Sequence, residues 1–147
     1  MISNFLETIK GQLVDQLARK TELNPDKLTN ASGVITDTLR EGLLDKFKQG
    51  RLDDIVSLLG KRGTSSSFAN SMITNTIGNL ASKMGLPKNI AAKIANIAIP
   101  FVIEKLGSFA SEKGKNDKEG IKDLLGDLLK SSAKDKLLGG LGKKFGF

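Results

Sequence analysis

The sequence contains no cysteine and no histidine. Without cysteine there is no disulfide, thiol nucleophile or thiolate metal ligand. Without histidine the commonest general base and metal ligand are missing, which excludes Ser-His-Asp and Cys-His catalysis and most zinc or iron chemistry. The neighbouring carboxylates Asp53/Asp54 and Asp123/Asp127 are better explained as solvated charged faces. We therefore expect a protein that is not an enzyme, with no catalytic residue, metal site, cofactor or small-molecule substrate.

Aromatic residues and long apolar runs are also scarce. There are seven phenylalanines but no tryptophan or tyrosine, so the core must be aliphatic and the usual aromatic anchors of recognition are missing. The longest apolar run, 94–103, is about half the length of a membrane-spanning helix and is interrupted by Asn96 and Pro100. The first residues lack the features of a signal peptide. We expect a soluble, cytoplasmic protein.

The net charge of +7 is distributed unevenly. Residues 1–64 carry ten Lys/Arg and nine Asp/Glu, whereas residues 65–147 carry thirteen lysines and seven acidic residues. Lysine is a point charge that attracts phosphate, while arginine supplies the bidentate fork that recognises guanine. Non-specific attraction to an anionic partner is therefore one prediction. Its candidate contacts are Lys83, Lys88, Lys93, Lys130, Lys134, Lys136, Lys143 and Lys144.

Apolar residues recur at helical spacing along most of the chain, which predicts an all-α, compact bundle of about five to seven helices. We expect one domain over residues 1–130, followed by a flexible, basic, Gly/Leu-rich tail over 131–147. The predicted helices cover about 3–23, 25–49, 52–59, 66–84, 87–110 and 119–130. Asn24 and Gly50 are placed to cap helix ends.

Four residues are expected to have structural roles around the second long turn. Gly85 should end one helix in a left-handed conformation, and Pro87 should begin the next. This next helix is apolar nearly all round, which is typical of a helix at the centre of a domain. Ile97 should therefore be central, and Pro100 should kink the helix because it removes a backbone hydrogen bond.

The second half of the chain resembles the first when it is shifted by 63 residues. Identical residues then coincide at Leu80, Ala81, Lys83, Leu86, Glu104 and Leu106. The segment 121–126 echoes 55–60 at a spacing of 66 residues, which fits a three-residue insertion in the charged loop before it. We infer a duplicated three-helix unit, with halves at about 3–60 and 66–130, packed face to face around one core.

Three motifs stand out in the second half: LASKMGLP at 80–87, IAIPFVIEKL at 97–106 and Leu-Leu-Gly at 124–126. Together they resemble the YidB-like family of small bacterial proteins, and the resemblance covers roughly residues 68–142. It implies an all-helical bacterial protein whose function is not established, and it brings no catalytic residue. The chain is more lysine-rich and less glycine-rich than the family pattern.

Three kinds of partner stay open. An aliphatic helical domain without a polar site favours protein–protein binding or self-association. Nucleic acid is an alternative, because Ala81, Gly85 and Ile94 fit a helix-turn-helix and the second half is basic. An anionic membrane surface is a third, because the tail combines lysines with leucine and phenylalanine.

Overall fold

A computed structural model describes the backbone of residues 2–60, 66–114 and 117–135, and the side chains of 4–60, 66–114 and 117–126. This part of the chain is helical, and no strand occurs in it, which confirms the all-α bundle. The expected tail beyond residue 135 lies outside the described residues. The helices are α1 (Ile2–Lys20), α2 (Pro25–Lys48), α3 (Leu52–Leu59), α4 (Ser67–Met84), α5 (Lys88–Glu112) and α6 (Lys118–Asp135).

The helix ends follow local capping chemistry. Asn24 Oδ1 accepts a hydrogen bond from the backbone N–H of Lys27 at 2.9 Å, and Pro25 occupies the first helical position of α2. Gly50 and Gly85 adopt φ of 73° and 67°, the left-handed region that favours glycine after a helix. These predicted caps are confirmed.

Four long helices pack as two antiparallel hairpins, α1–α2 and α4–α5, joined by α1–α5 and α2–α4 contacts. The α1–α5 pair is antiparallel, because Phe5 stacks on Phe109 with ring centroids 4.7 Å apart. The α2–α4 pair is antiparallel too, because Asn79 Nδ2 donates to Thr38 Oγ1 at 2.8 Å while Lys46 lies over the Phe68 ring. Both short turns, 21–24 and 85–87, therefore lie at one end.

The short helix α3 and the helix α6 close the other end, which we call the capped end. α3 packs on α5 so closely that a Cβ at Gly107 would lie 3.0 Å from the carbonyl oxygen of Leu59. Lys118 of α6 forms an ion pair with Asp53 of α3 at 2.8 Å. The aliphatic core continues into this end through Ile55, Leu58, Ile121, Leu124 and Leu125.

The packing of the halves is reciprocal. If α1–α3 are exchanged with α4–α6 in order, the principal helix contacts map onto one another. Thus α2–α4 becomes α1–α5, α2–α6 becomes α3–α5, and α1–α6 becomes α3–α4. Burial follows the 63-residue shift as well, since Leu17 and Leu80 are both fully buried. A duplicated unit predicts this arrangement, and the duplication itself stays a prediction.

Several expected details differ from the structure. Pro87 is the residue before α5 rather than its first residue, because its extended backbone (φ −57°, ψ 145°) places it at the N-cap position. Ile97 is half-buried at the margin of the core, whereas Ala98 and Val102 of the same helix are fully buried. α5 runs unbroken through Pro100, and α6 extends to Asp135, five residues into the expected tail.

Candidate polyanion-binding site

The end of the bundle that holds both turns is strongly basic. The helix ends and grooves beside the turns carry six exposed cations and three exposed carboxylates, a net formal charge of +3. We call this region the basic end. Its cations are Arg19, Lys20, Lys27, Lys83, Lys88 and Lys93, and its carboxylates are Glu22, Asp26 and Asp37.

The cations of the basic end have no partner among the described residues. None of the six forms an ion pair or a side-chain hydrogen bond in that part of the chain. Elsewhere such pairs are common: Lys46 lies 3.0 Å from Asp54, and Lys10 lies 3.3 Å from Glu7. The positive charge of the basic end is therefore free to meet a partner of opposite charge.

The first of two grooves at the basic end lies between α2 and the turn that follows α4, and we call it the α2 groove. Its volume is about 620 Å³. Gly33 leaves it open, because a Cβ at this position would meet no atom within 4 Å. The lining residues are Lys27, Thr29, Asn30, Gly33, Val34, Asp37, Lys83, Met84 and Leu86.

The second groove, the α5 groove, lies between the first turn and the start of α5, with a volume of about 430 Å³. It is more highly charged. Its lining residues are Arg19, Lys20, Thr21, Glu22, Leu23, Ile90 and Lys93. The two grooves occupy corresponding places, since the turn of each half meets the second helix of the other. Lys20 and Lys83, which are 63 residues apart, line one groove each.

Three of the eight lysines proposed from the sequence meet at this site. Lys83 lines the α2 groove, Lys93 lines the α5 groove, and Lys88 begins α5 between them. Lys130 and Lys134 belong to α6, but their side chains are not among those that the structure describes. The remaining three, Lys136, Lys143 and Lys144, lie outside the described residues.

Sequence reasoning missed the first-half members of the site, Arg19, Lys20 and Lys27. The first half is almost neutral overall, so its local cluster of cations was not apparent from net charge. The internal repeat held the relevant signal, because Lys20 coincides with Lys83 after the 63-residue shift. Because the two halves of the chain pack reciprocally, Lys20 and Lys83 come to the same end of the bundle.

The helix-turn-helix stays a prediction, and the packing of its second helix does not favour it. The would-be recognition helix, α5, packs on all five other described helices and buries nine of its side chains. Its turn closes an antiparallel hairpin with α4. The cations that α5 brings to the basic end are Lys88 and Lys93.

The described residues include neither a metal-binding cluster nor a membrane-spanning helix. No group of three or more side chains there is arranged to hold a metal ion. None of the helices described is both long and apolar enough to cross a membrane. No protein-family model, curated protein or solved structure matches this chain. The resemblance to the YidB-like family stays a prediction.

Proposed function

We propose that this protein is a non-enzymatic helical module that binds nucleic acid non-specifically through the phosphate backbone. The observation that carries the proposal is the basic end, where six exposed cations have no partner among the described residues. Five of the six are lysines, which attract phosphate as point charges and provide little base readout. A cytoplasmic location belongs to the same proposal.

The surface favours a polyanion over an apolar partner. Among the described side chains, every leucine, isoleucine, valine, methionine and phenylalanine is buried or half-buried, and none is fully exposed. Protein partners and self-association generally need such side chains at the centre of the interface, and membrane insertion needs them too. Protein binding or self-association therefore stays a second proposal with less support. Membrane association through the tail is a third proposal. Its lysines Lys136, Lys143 and Lys144 lie outside the described residues.

The proposal has a quantitative consequence for salt dependence. Each phosphate neutralised on duplex DNA contributes about −0.9 to the slope of log K against log salt. Six contacts would give a slope of about −5, and an affinity loss of roughly a thousandfold between about 50 and 200 mM salt. A slope near zero would show that the cations meet no phosphate.

The test is a fluorescence-anisotropy titration of a labelled duplex of random sequence at several salt concentrations. The variant Lys20→Gln/Lys83→Gln/Lys93→Gln removes three charges from the basic end. We expect the slope of log K against log salt to become less negative by about 3. The affinity at low salt should fall at least about tenfold.

The matched control removes the same net charge elsewhere, through Lys48→Gln/Lys105→Gln/Lys113→Gln near the capped end. It should bind more tightly than the basic-end variant. Equal losses would show that net charge alone governs binding, which contradicts the proposed site. If only the variant Lys136→Gln/Lys143→Gln/Lys144→Gln lost affinity for the duplex, the contacts with phosphate would lie in the tail. If the protein binds anionic vesicles more tightly than the duplex, a membrane surface rather than nucleic acid would be its partner.

A further inference from the structure

The two grooves of the basic end differ in their lining residues. The α2 groove is lined by the apolar residues Val34, Met84 and Leu86, of which Leu86 is only 9% exposed. The polar side chains of Thr29 and Asn30 line it too. The α5 groove carries three cations and a carboxylate, together with the apolar residues Leu23 and Ile90.

The charges at the α2 groove are arranged to accept an anion. Lys27 and Lys83 line it and have no partner among the residues described. Its one carboxylate, Asp37, is engaged by Arg40 at 3.5 Å. The Asn30 amide makes no hydrogen bond with a described residue, so it can donate and accept at a ligand.

We propose that the α2 groove receives one unstacked base of a nucleic-acid strand, with the flanking phosphates at Lys27 and Lys83. The aliphatic side chains take the place of an aromatic ring against the face of a base, the Asn30 amide suits its hydrogen-bonding edge, and the two lysines suit the phosphates on either side. The volume of about 620 Å³ lies in the range of small-molecule pockets. The bases of a duplex are stacked inside the helix, so the protein should prefer single strands.

Gly33 is the residue that keeps this groove open. A glycine inside a helix weakens it, and nothing around Gly33 requires one, because a Cβ there would meet no atom within 4 Å. The corresponding position of the second half holds Asn96, whose amide donates to the carbonyl of Ala92 at 2.8 Å. The second half therefore has no glycine at this place.

The experiment fills the groove without changing charge. Gly33→Leu is compared with Gly11→Leu, a matched control at an exposed glycine of α1 whose Cβ would also meet nothing within 4 Å. A labelled single strand of mixed sequence and the corresponding duplex are titrated at the same salt concentration. Circular-dichroism melting checks that both variants fold.

This inference rests on the proposed function, and the outcomes separate the two. We expect the wild type and Gly11→Leu to bind the single strand about tenfold more tightly than the duplex, and Gly33→Leu to lose this preference. Equal affinity of the wild type for both forms, or a preference that survives in Gly33→Leu, overturns the groove assignment. A free mononucleotide that binds as tightly as the strand overturns the assignment to a strand. Absence of binding to either form at low salt overturns the proposed function itself.

Discussion

The two ends of the bundle arrange their charged side chains differently. At the capped end, Lys118 Nζ lies 2.8 Å from Asp53 Oδ1, and Lys46 Nζ lies 3.0 Å from Asp54 Oδ2. At the basic end, Lys20 and Lys83 have no such partner in the part of the chain that is described. Pairing stabilises a fold weakly, whereas clustering of like charges destabilises it. The ion pairs contribute to stability at the capped end, whereas the cations of the basic end are the ones for which we propose a role in binding.

The difference extends to packing. The capped end is covered by α3 and α6, whose leucine and isoleucine side chains are buried against the other helices. Among the described residues, two short turns cover the basic end, and they leave the α2 groove and the α5 groove open. Substitutions at the two ends should therefore separate stability from binding, and they should do so by measurable amounts.

The largest effect is expected for Leu58→Ala at the capped end. Leu58 is fully buried, so its truncation leaves a cavity under α3 and should lower the free energy of unfolding by about 2–5 kcal/mol. Urea unfolding measures this loss. The basic end is remote from α3, and DNA affinity measured well below the unfolding midpoint should be unchanged. A matching loss of affinity would show that the two ends are coupled.

The next largest effect is expected for Gly85→Val in the turn of the basic end. Gly85 has φ of 67°, and a β-branched residue is strained in this left-handed region by about 1–3 kcal/mol. The melting temperature should fall accordingly. Gly85→Asn is the control, because asparagine tolerates this conformation and should be affected less. An unchanged melting temperature for Gly85→Val would mean that the cap contributes little.

The helices and their caps could be predicted from sequence because both depend on local chemistry. Asn24, Gly50 and Gly85 end or begin helices through hydrogen bonds and backbone conformations within a few residues. The position of Ile97 could not be predicted, because a helix with apolar residues nearly all round does not indicate which of them face the margin of the core. Only the packed neighbours of α5 decide that.

The candidate site was only partly predictable for a similar reason. Lys83, Lys88 and Lys93 were proposed from the charge of the second half, but Arg19, Lys20 and Lys27 join them through tertiary packing. The turn of each half meets the second helix of the other, an arrangement that net charge does not encode. The grooves themselves depend on side chains from distant segments, so no local pattern indicated them.

A glycine-to-alanine substitution at each end compares the two kinds of packing directly. Gly33→Ala should raise the free energy of unfolding by about 0.4–1 kcal/mol, because the added Cβ meets open space and alanine favours the helix. Gly107→Ala should be less stable than Gly33→Ala by about 1 kcal/mol or more, because its Cβ would lie 3.0 Å from the Leu59 carbonyl oxygen. Equal effects in urea unfolding would show that α3 moves aside freely.

The smallest effects are expected from single charges, and their signs distinguish the two ends. Asp54→Asn removes the partner of Lys46 and should destabilise the fold by about 0.2–1 kcal/mol, as is usual for partly exposed ion pairs. Lys20→Gln removes a cation surrounded by like charges, so its effect on stability should be zero or slightly favourable at low salt. Added salt should reduce both effects, because it screens attraction and repulsion alike.

Unfolding curves of both variants at low and high salt make this comparison, with DNA titrations alongside. Lys20→Gln should weaken DNA binding and reduce the salt slope by about 1, while Asp54→Asn should leave the slope unchanged. If Lys20→Gln instead destabilised the protein as much as Asp54→Asn, Lys20 would have a structural partner. The cations of the basic end would then contribute to folding, and the division of roles between the two ends would not hold.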